Sequence, residues 1–184
     1  MNFNKFLVIS CLIASVLVPT LVSADEYQYI YKSWSSDLER DIVADSFNVA
    51  SQNFTIDTKS KVLFWGHAGS PYDSCDDNWI CIESITFNFA IQKKDKTAAE
   101  WKHKGFKYIN KGKETIEFFG ISQEVFKIQV INLSREMATS DPMIVYYSST
   151  NGILGFTQLL YDVESEIQYP VTYWSTENLG FGSR

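Results

Sequence analysis

The sequence predicts a mainly β protein, all-β or α+β, arranged as an antiparallel sandwich or curled sheet of about eight strands with one or two short helices. Aromatic residues make up 15% of the chain, and they favour strands. Residues 80–92 alternate apolar and polar side chains, which is typical of a strand with one buried face. Connections between successive apolar segments are mostly short, so neighbouring strands should pair antiparallel.

The strands follow from local patterns and turn signals. Asn151-Gly152 favours the positive φ values of a type I′ turn and predicts a hairpin around it, with a loop whose length the preceding residues 148–150 leave open. A second hairpin is expected to turn at residues 110–112, and residues 66–77 should form a loop because of their Gly, Ser-Pro and Asp residues. The predicted strands are residues 27–34, 61–66, 80–92, 106–109, 115–119, 124–133, 143–147, 153–160 and 169–174.

Two segments are candidates for the short helices. Ser36 and Glu39 form a capping-box pattern at the start of residues 36–47. The apolar side chains of this segment fall on one helical face, although an extended stretch would also fit. Residues 97–103 are long enough for one or two helical turns.

The N-terminus has the features of a secretory signal peptide. Lys5 supplies a positive charge, residues 6–18 are almost entirely apolar, and the small residues Ser23 and Ala24 follow. We expect cleavage of residues 1–24, which leaves residues 25–184 as a single β-rich exported domain, secreted or periplasmic.

Two alternatives to cleavage remain. An uncleaved membrane anchor would need a longer apolar stretch. A lipoprotein would place Cys11 at the end of the apolar run, whereas here the run continues beyond it. After Val18 no apolar run is long enough for a membrane helix.

The charge balance limits the partners. The chain carries 16 Lys and Arg against 22 Asp and Glu, a formal net charge of −6, and loss of Lys5 lowers it to about −7. This charge disfavours nucleic acid, because phosphate binding needs local positive charge. A protein or an anionic cell-surface polymer is the expected partner.

Signal removal leaves two cysteines, Cys75 and Cys81, which should form a disulfide in an oxidising compartment. The loop between them contains Asp76, Asp77 and Trp79. It is either a rigid surface loop or a recognition loop that presents Trp79 to a partner. Redox chemistry is disfavoured, because the spacing is not Cys-x-x-Cys and the acidic neighbours would raise a thiol pKa.

Few residues are candidates for catalysis or metal binding. His67 and Asp73 lie in one loop and are the minimum for acid–base catalysis, but no nucleophile motif accompanies them. With only two histidines, a His-rich metal site is excluded. Asp73, Asp76 and Asp77 could supply oxygen ligands to calcium, although their spacing is not that of a calcium-binding loop. We therefore expect no cofactor.

Residues 93–113 combine basic and aromatic side chains, with Trp101, Lys102 and Lys104 at their centre. This composition is typical of a binding surface for an anionic glycan or an acidic protein; an ordinary solvated face is the alternative.

The leading hypothesis is therefore a non-enzymatic exported binding module that uses the disulfide loop, the basic-aromatic stretch or both. A secreted hydrolase with an acid–base site near His67, and a structural subunit of a surface assembly, are the alternatives.

Overall fold

The computed structural model describes residues 27–33, 53–133, 143–162 and 166–183, and these residues form twelve β-strands and no helix. The strands are β1 (Gln28–Ser33), β2 (Asn53–Asp57), β3 (Val62–Trp65), β4 (Ala68–Pro71), β5 (Trp79–Glu83), β6 (Asn88–Gln92), β7 (Glu100–His103), β8 (Phe106–Phe118), β9 (Ile121–Asn132), β10 (Met143–Ser148), β11 (Gly152–Asp162) and β12 (Ile167–Ser175).

The expectation of a mainly β protein is confirmed, but the count of about eight strands is too low. The helix predicted at residues 36–47 lies outside the described residues. The helical turns predicted at residues 97–103 are wrong, because Glu100–His103 is strand β7. Trp101 points into the core from this strand while its neighbours face outward, and this alternation requires extended backbone.

Two further differences arise where tertiary contacts override local signals. The single strand predicted at residues 80–92 is a hairpin, because the Ser84 hydroxyl accepts hydrogen bonds from the backbone N–H groups of Thr86 and Phe87 and stabilises a chain reversal. The turn predicted at residues 110–112 is instead a bulge within the long strand β8, where the register with β9 shifts between Asn110 and Lys113. Strand β2 has no counterpart in the prediction. Strand β4 lies within residues 66–77, which the sequence predicts as a loop, because Gly69 and Ser70 pair with Phe64 and Leu63 of β3.

Ten strands form one antiparallel sheet in the order β4-β3-β2-β1-β12-β11-β10-β9-β8-β7, and β5 and β6 form a separate two-stranded hairpin. Strands β1–β4 are neighbours in sequence order, as are strands β7–β12. Pairing of β1 with β12 joins the two series. The first and last strands of the described chain therefore meet in the middle of the sheet.

The large sheet curls around the β5–β6 hairpin. Phe87 packs against Phe54 of β2 at 5.4 Å between ring centroids, and Trp101 of β7 donates its indole N–H to the Ala90 carbonyl at 2.7 Å. In a flat sheet β2 and β7 would be about 34 Å apart, whereas residues 87–90 span at most about 10 Å. Only a curled sheet brings both strands to this short segment.

The core inside the curled sheet is rich in aromatic residues. Phe54, Phe87 and Phe156 pack mutually, with ring centroids 4.8–5.4 Å apart. Phe89 contacts Tyr108 and Tyr147 on the far side of the sheet. Burial of such side chains contributes about 1.5–3 kcal/mol each, so this hairpin supplies much of the stabilisation of the sheet that encloses it.

The last described residues close one end of the core. The Tyr31 hydroxyl is fully buried, donates a hydrogen bond to the Ile153 carbonyl at 2.9 Å and accepts one from the Phe181 N–H at 3.0 Å. Burial raises the pKa of this hydroxyl well above its usual range. The Ile153 N–H in turn donates to the Phe181 carbonyl at 2.9 Å, so the C-terminal segment is tied to β1 and β11.

The close packing of this segment leaves no room for a side chain at Gly180. A Cβ atom there would lie 1.6 Å from the Ile153 carbonyl oxygen. We expect Gly180→Ala to lower the free energy of unfolding by about 1–3 kcal/mol, measured by urea denaturation. Gly69→Ala is the control, because its Cβ would meet only side chains, at 3.3 Å. Equal losses in both variants would contradict this account.

Asp57 stabilises the β2–β3 turn, because its Oδ1 accepts the N–H groups of Lys59 and Ser60 at 2.9 and 3.0 Å. These hydrogen bonds lower the pKa of Asp57, the one to Ser60 most strongly. Asp57→Ala should lower the free energy of unfolding by about 1 kcal/mol.

Because the folded pKa of Asp57 is depressed, its ionisation stabilises the fold above the unfolded pKa of about 4. This contribution is lost as pH falls through the folded value. Wild type should therefore lose stability relative to Asp57→Asn on acidification, in urea titrations from pH 6 to pH 2. A pH-independent difference between the two proteins would count against this role.

Candidate functional site

The disulfide loop (residues 75–81) and the β7–β8 turn (residues 104–105) meet at Glu83, the last residue of β5. Lys104 Nζ lies 2.6 Å from Glu83 Oε2, and His103 Nε2 lies 2.6 Å from Glu83 Oε1. One carboxylate therefore contacts both side chains, Lys104 at one oxygen and His103 at the other. The sequence treats the disulfide loop and the basic-aromatic stretch as separate candidate surfaces. In the structure they form one continuous surface.

Local backbone geometry places each group. His103 pairs with Phe106 across a two-residue turn in which Lys104 and Gly105 have φ values of 41° and 82°. Positive φ at both positions is the signature of a type I′ turn, which matches the twist of the flanking strands. The Lys104 side chain is thereby directed back toward β5.

A backbone bridge brings the start of the disulfide loop to the same place. The Asp73 and Glu83 backbones exchange two N–H to carbonyl hydrogen bonds, of 2.9 and 3.1 Å. Cys75 follows two residues later, and Cys81 precedes Glu83 on the same face of β5. Both cysteines therefore lie beside the Glu83 carboxylate.

The structure contains the expected Cys75–Cys81 disulfide. Cys75 Sγ lies 3.1 Å from His103 Nε2 and 3.0 Å from Glu83 Oε1. The ring of Trp79 packs on the His103 ring, with centroids 4.5 Å apart. A sulfur, an imidazole and a carboxylate thus converge under a half-buried indole.

The Glu83 carboxylate is ionised at neutral pH despite being largely covered. Burial alone would raise the pKa of this carboxyl, but hydrogen bonds and charge from Lys104 and His103 outweigh burial and leave the pKa below its usual range. The hydrogen bond to Glu83 also raises the pKa of Lys104. The negative charge of Glu83 and the positive charge of Lys104 therefore compensate each other.

A cleft of about 390 Å³ opens beside this cluster. One wall is the turn at residues 84–87, where Ile85 is 94% exposed. Its lining combines charged, polar and apolar side chains: Pro71, Asp73, Glu83, Ser84, Ile85, Asn88, His103, Lys104, Phe106 and Tyr108.

The aromatic residues that the sequence predicts for binding are packed against the body of the protein. Trp79 is the first residue of β5 and is half-buried against His103. Trp101 is 9% exposed and stacks on Tyr108 at 5.3 Å. Lys102, next to Trp101 on β7, is exposed on the opposite face of the strand. Of the three residues at the centre of the basic-aromatic stretch, only Lys104 reaches the cluster.

His67 and Asp73 are not brought together into a recognisable catalytic set. His67 is exposed in the turn between β3 and β4, and within the described residues it makes no hydrogen bond. Asp73 is exposed, and its backbone is paired with Glu83. A histidine that acts as a general base is normally held by an orienting partner, and His67 has none in the described part of the chain.

Asp76 and Asp77 are both exposed in the disulfide loop, where Asp76 Oδ1 accepts the Asn78 N–H at 2.9 Å. Calcium binding by these aspartates stays a prediction. Where the structure describes the chain, the side chains close enough to share a metal ion are instead Cys75, Cys81, Glu83 and His103, whose donor atoms all lie within 4.8 Å of one another.

Sequence reasoning missed Glu83 and Ile85, and gave His103 no specific role. Glu83 lies within the strand predicted at residues 80–92 and carries no local signal of a functional role. Ile85 fits the alternation of residues 80–92 and should therefore be buried, yet the turn at Ser84 displays it to solvent. The proximity of Cys75 to His103, 28 residues away in sequence, depends on the pairing of β5 and the path of β7.

Comparison of the chain with models of known families, with curated proteins and with solved structures finds no match. No helix in the described residues has the length and apolar character needed to cross a bilayer.

The disulfide closes a short loop, and the cluster around it is also held by strand pairing. We expect reduction to lower the free energy of unfolding by about 2 kcal/mol, the chain-entropy value for so short a loop, while leaving the fold intact. Urea denaturation of the oxidised and reduced protein, with circular dichroism as the readout, measures this difference. Complete unfolding on reduction, without metal present, would show that the disulfide is essential to the sheet.

Proposed function

We propose that this protein is an exported binding module that recognises a partner protein through one surface, formed jointly by the disulfide loop, the β7–β8 turn and the turn at residues 84–87. The observation that carries the proposal is the Lys104–Glu83 ion pair at 2.6 Å. It joins two segments whose compositions separately favour binding.

The exposed Ile85 supplies an apolar contact for the partner. Its turn is ordered before any partner arrives, because the Ser84 hydroxyl accepts two backbone N–H groups and donates to the Phe87 carbonyl. The Gln158 side chain also donates to the Thr86 carbonyl, at 3.0 Å. A large apolar side chain on a rigid turn loses little conformational entropy on binding, which favours affinity.

The charges around the cleft favour a protein over an anionic polymer. Lys104 is already paired with Glu83, and the Asp73 and Asp76 carboxylates act on it at longer range. A polyanion would have to compete with these carboxylates. A protein partner can match a mixed rim of charges around an apolar contact, which is the usual organisation of protein interfaces.

The export of the protein rests on the N-terminal sequence, and a disulfide is typical of such a compartment. The absence of a convergent catalytic set around His67, within the described residues, favours binding over hydrolysis.

The test uses Ile85 as the point of attachment. A photoreactive amino acid at position 85, in the protein as the producing cell exports it, should crosslink a discrete protein. The purified partner should then bind the wild-type chain directly, and Ile85→Ser should weaken the measured Kd by about tenfold or more, the usual effect of truncating an interface anchor.

Ile121→Ser is the matched control. Ile121 is 51% exposed at the other end of β8–β9, far from residues 104–105, and its replacement should leave the Kd within twofold. Weaker binding for Ile121→Ser but not for Ile85→Ser would move the recognition surface to the β8–β9 turn and overturn the proposal. Absence of any discrete crosslink at position 85 would also reject it.

A further inference from the structure

The two disulfide sulfurs and two donor atoms beside them together have the composition of a zinc site. Two cysteine sulfurs, an imidazole nitrogen and a carboxylate oxygen are all zinc ligands, and four such donors complete a tetrahedral structural site. Cys75, Cys81, Glu83 and His103 supply this set, with all donor atoms within 4.8 Å of one another. Neither the sequence spacing nor the proposed binding function requires such a convergence.

Several separations between donors approach those around a bound metal, whereas the two bonded sulfurs, and His103 Nε2 and Glu83 Oε1 at 2.6 Å, must move apart. Zinc bonds of about 2.3 Å to sulfur and about 2.0–2.1 Å to nitrogen or oxygen place tetrahedral ligands roughly 3.3–3.8 Å apart. Cys75 Sγ lies 3.1 Å from His103 Nε2 and 3.0 Å from Glu83 Oε1. Cys81 Sγ lies 4.0 Å from the same carboxylate oxygen. Side-chain rotations that separate the sulfurs and open the His103–Glu83 contact would surround a zinc ion.

Residues other than the four ligands hold those ligands in place, as is usual in structural metal sites. Lys104 binds the second oxygen of Glu83 at 2.6 Å, which orients the first toward the sulfurs. Trp79 packs on the His103 ring. Cys81 is buried, and the side chains of His103 and Glu83 are only 13% and 16% exposed, so water competes little for the ion.

We propose that reduction of the Cys75–Cys81 disulfide converts this cluster into a zinc site, and that disulfide and zinc are alternative ways of closing the same loop. Zinc binds thiolates, and disulfide sulfurs are not effective ligands. The two states therefore exclude each other.

A dithiol reductant transfers two electrons and two protons, its own sulfurs become a disulfide, and the Cys75–Cys81 bond is replaced by two thiols. Zn²⁺ then displaces both thiol protons and accepts electron pairs from the two sulfurs, His103 and Glu83. The Cα atoms of the two cysteines are 5.7 Å apart, so side-chain rotation separates the thiolates without breaking β5.

The charge of the site suits this exchange. Two thiolates and one carboxylate bring three negative charges to a dication, and Lys104 lies beside the carboxylate to compensate the remainder. Zinc is preferred over calcium and magnesium, because those ions take oxygen ligands and bind sulfur poorly.

The experiment compares the exported protein in its oxidised and reduced forms, both freed of metal, with a phosphine as the reductant. Zn²⁺ is added in competition with a chromophoric chelator, and Co²⁺ serves as a spectroscopic substitute. The reduced protein should bind one metal ion per chain, with the visible absorption of tetrahedral Co²⁺ and a thiolate-to-metal band. The oxidised protein should show neither band.

Variants distinguish this site from adventitious binding by thiols. His103→Ala should weaken zinc binding by at least about 100-fold, and Lys104→Met by roughly tenfold, the lower end of the range for outer partners of metal ligands. His67→Ala and Asp77→Ala are the matched controls, because each removes the same kind of donor outside the cluster. Both should leave affinity within twofold.

Clear results would overturn the proposal. Equal binding by oxidised and reduced protein, unchanged affinity in His103→Ala, or loss of affinity in His67→Ala would each do so. If the reduced protein without metal unfolds, the readout becomes refolding. Restoration of near-ultraviolet circular dichroism by zinc in wild type but not in His103→Ala supports the site, and no restoration in wild type rejects it.

Discussion

Packing of the β5–β6 hairpin inside the curled sheet is the interaction on which the rest of this structure depends. Phe87 and Phe89 reach strands on opposite sides of the sheet, and the indole of Trp101 is tied to the hairpin backbone at Ala90. Without these contacts a ten-stranded sheet would have one apolar face open to water. The same packing fixes the position of β5, and therefore of every group that β5 carries to the surface.

The polar side chains around Glu83 lie where this core reaches the surface. Cys81 is part of the apolar core, whereas Glu83, two residues later, accepts hydrogen bonds from side chains of the β7–β8 hairpin. Removing a carboxylate from water is costly unless it is paired, so Glu83 holds His103 and Lys104 close to β5. The disulfide lies beside these residues, and its loop forms part of a larger surface.

This arrangement separates the stability of the sheet from the state of the disulfide. The apolar core and strand pairing hold the sheet together, while the disulfide constrains only a short loop. The loop could therefore change its chemical state while the sheet remains folded. A binding surface built next to such a loop would respond to redox conditions or metal supply through local changes alone.

The sequence by itself determined the β class, the hairpin around Asn151-Gly152 and the pairing of Cys75 with Cys81, because alternation, turn residues and short-range cysteine spacing are local signals. It could not separate β5 from β6, since Ser84 reverses the chain through side-chain hydrogen bonds that leave the apolar alternation unbroken. Only the tertiary structure placed His103 beside Cys75 and Glu83. That proximity depends on how a curled sheet packs around its inner hairpin, and long-range packing leaves no pattern in neighbouring residues.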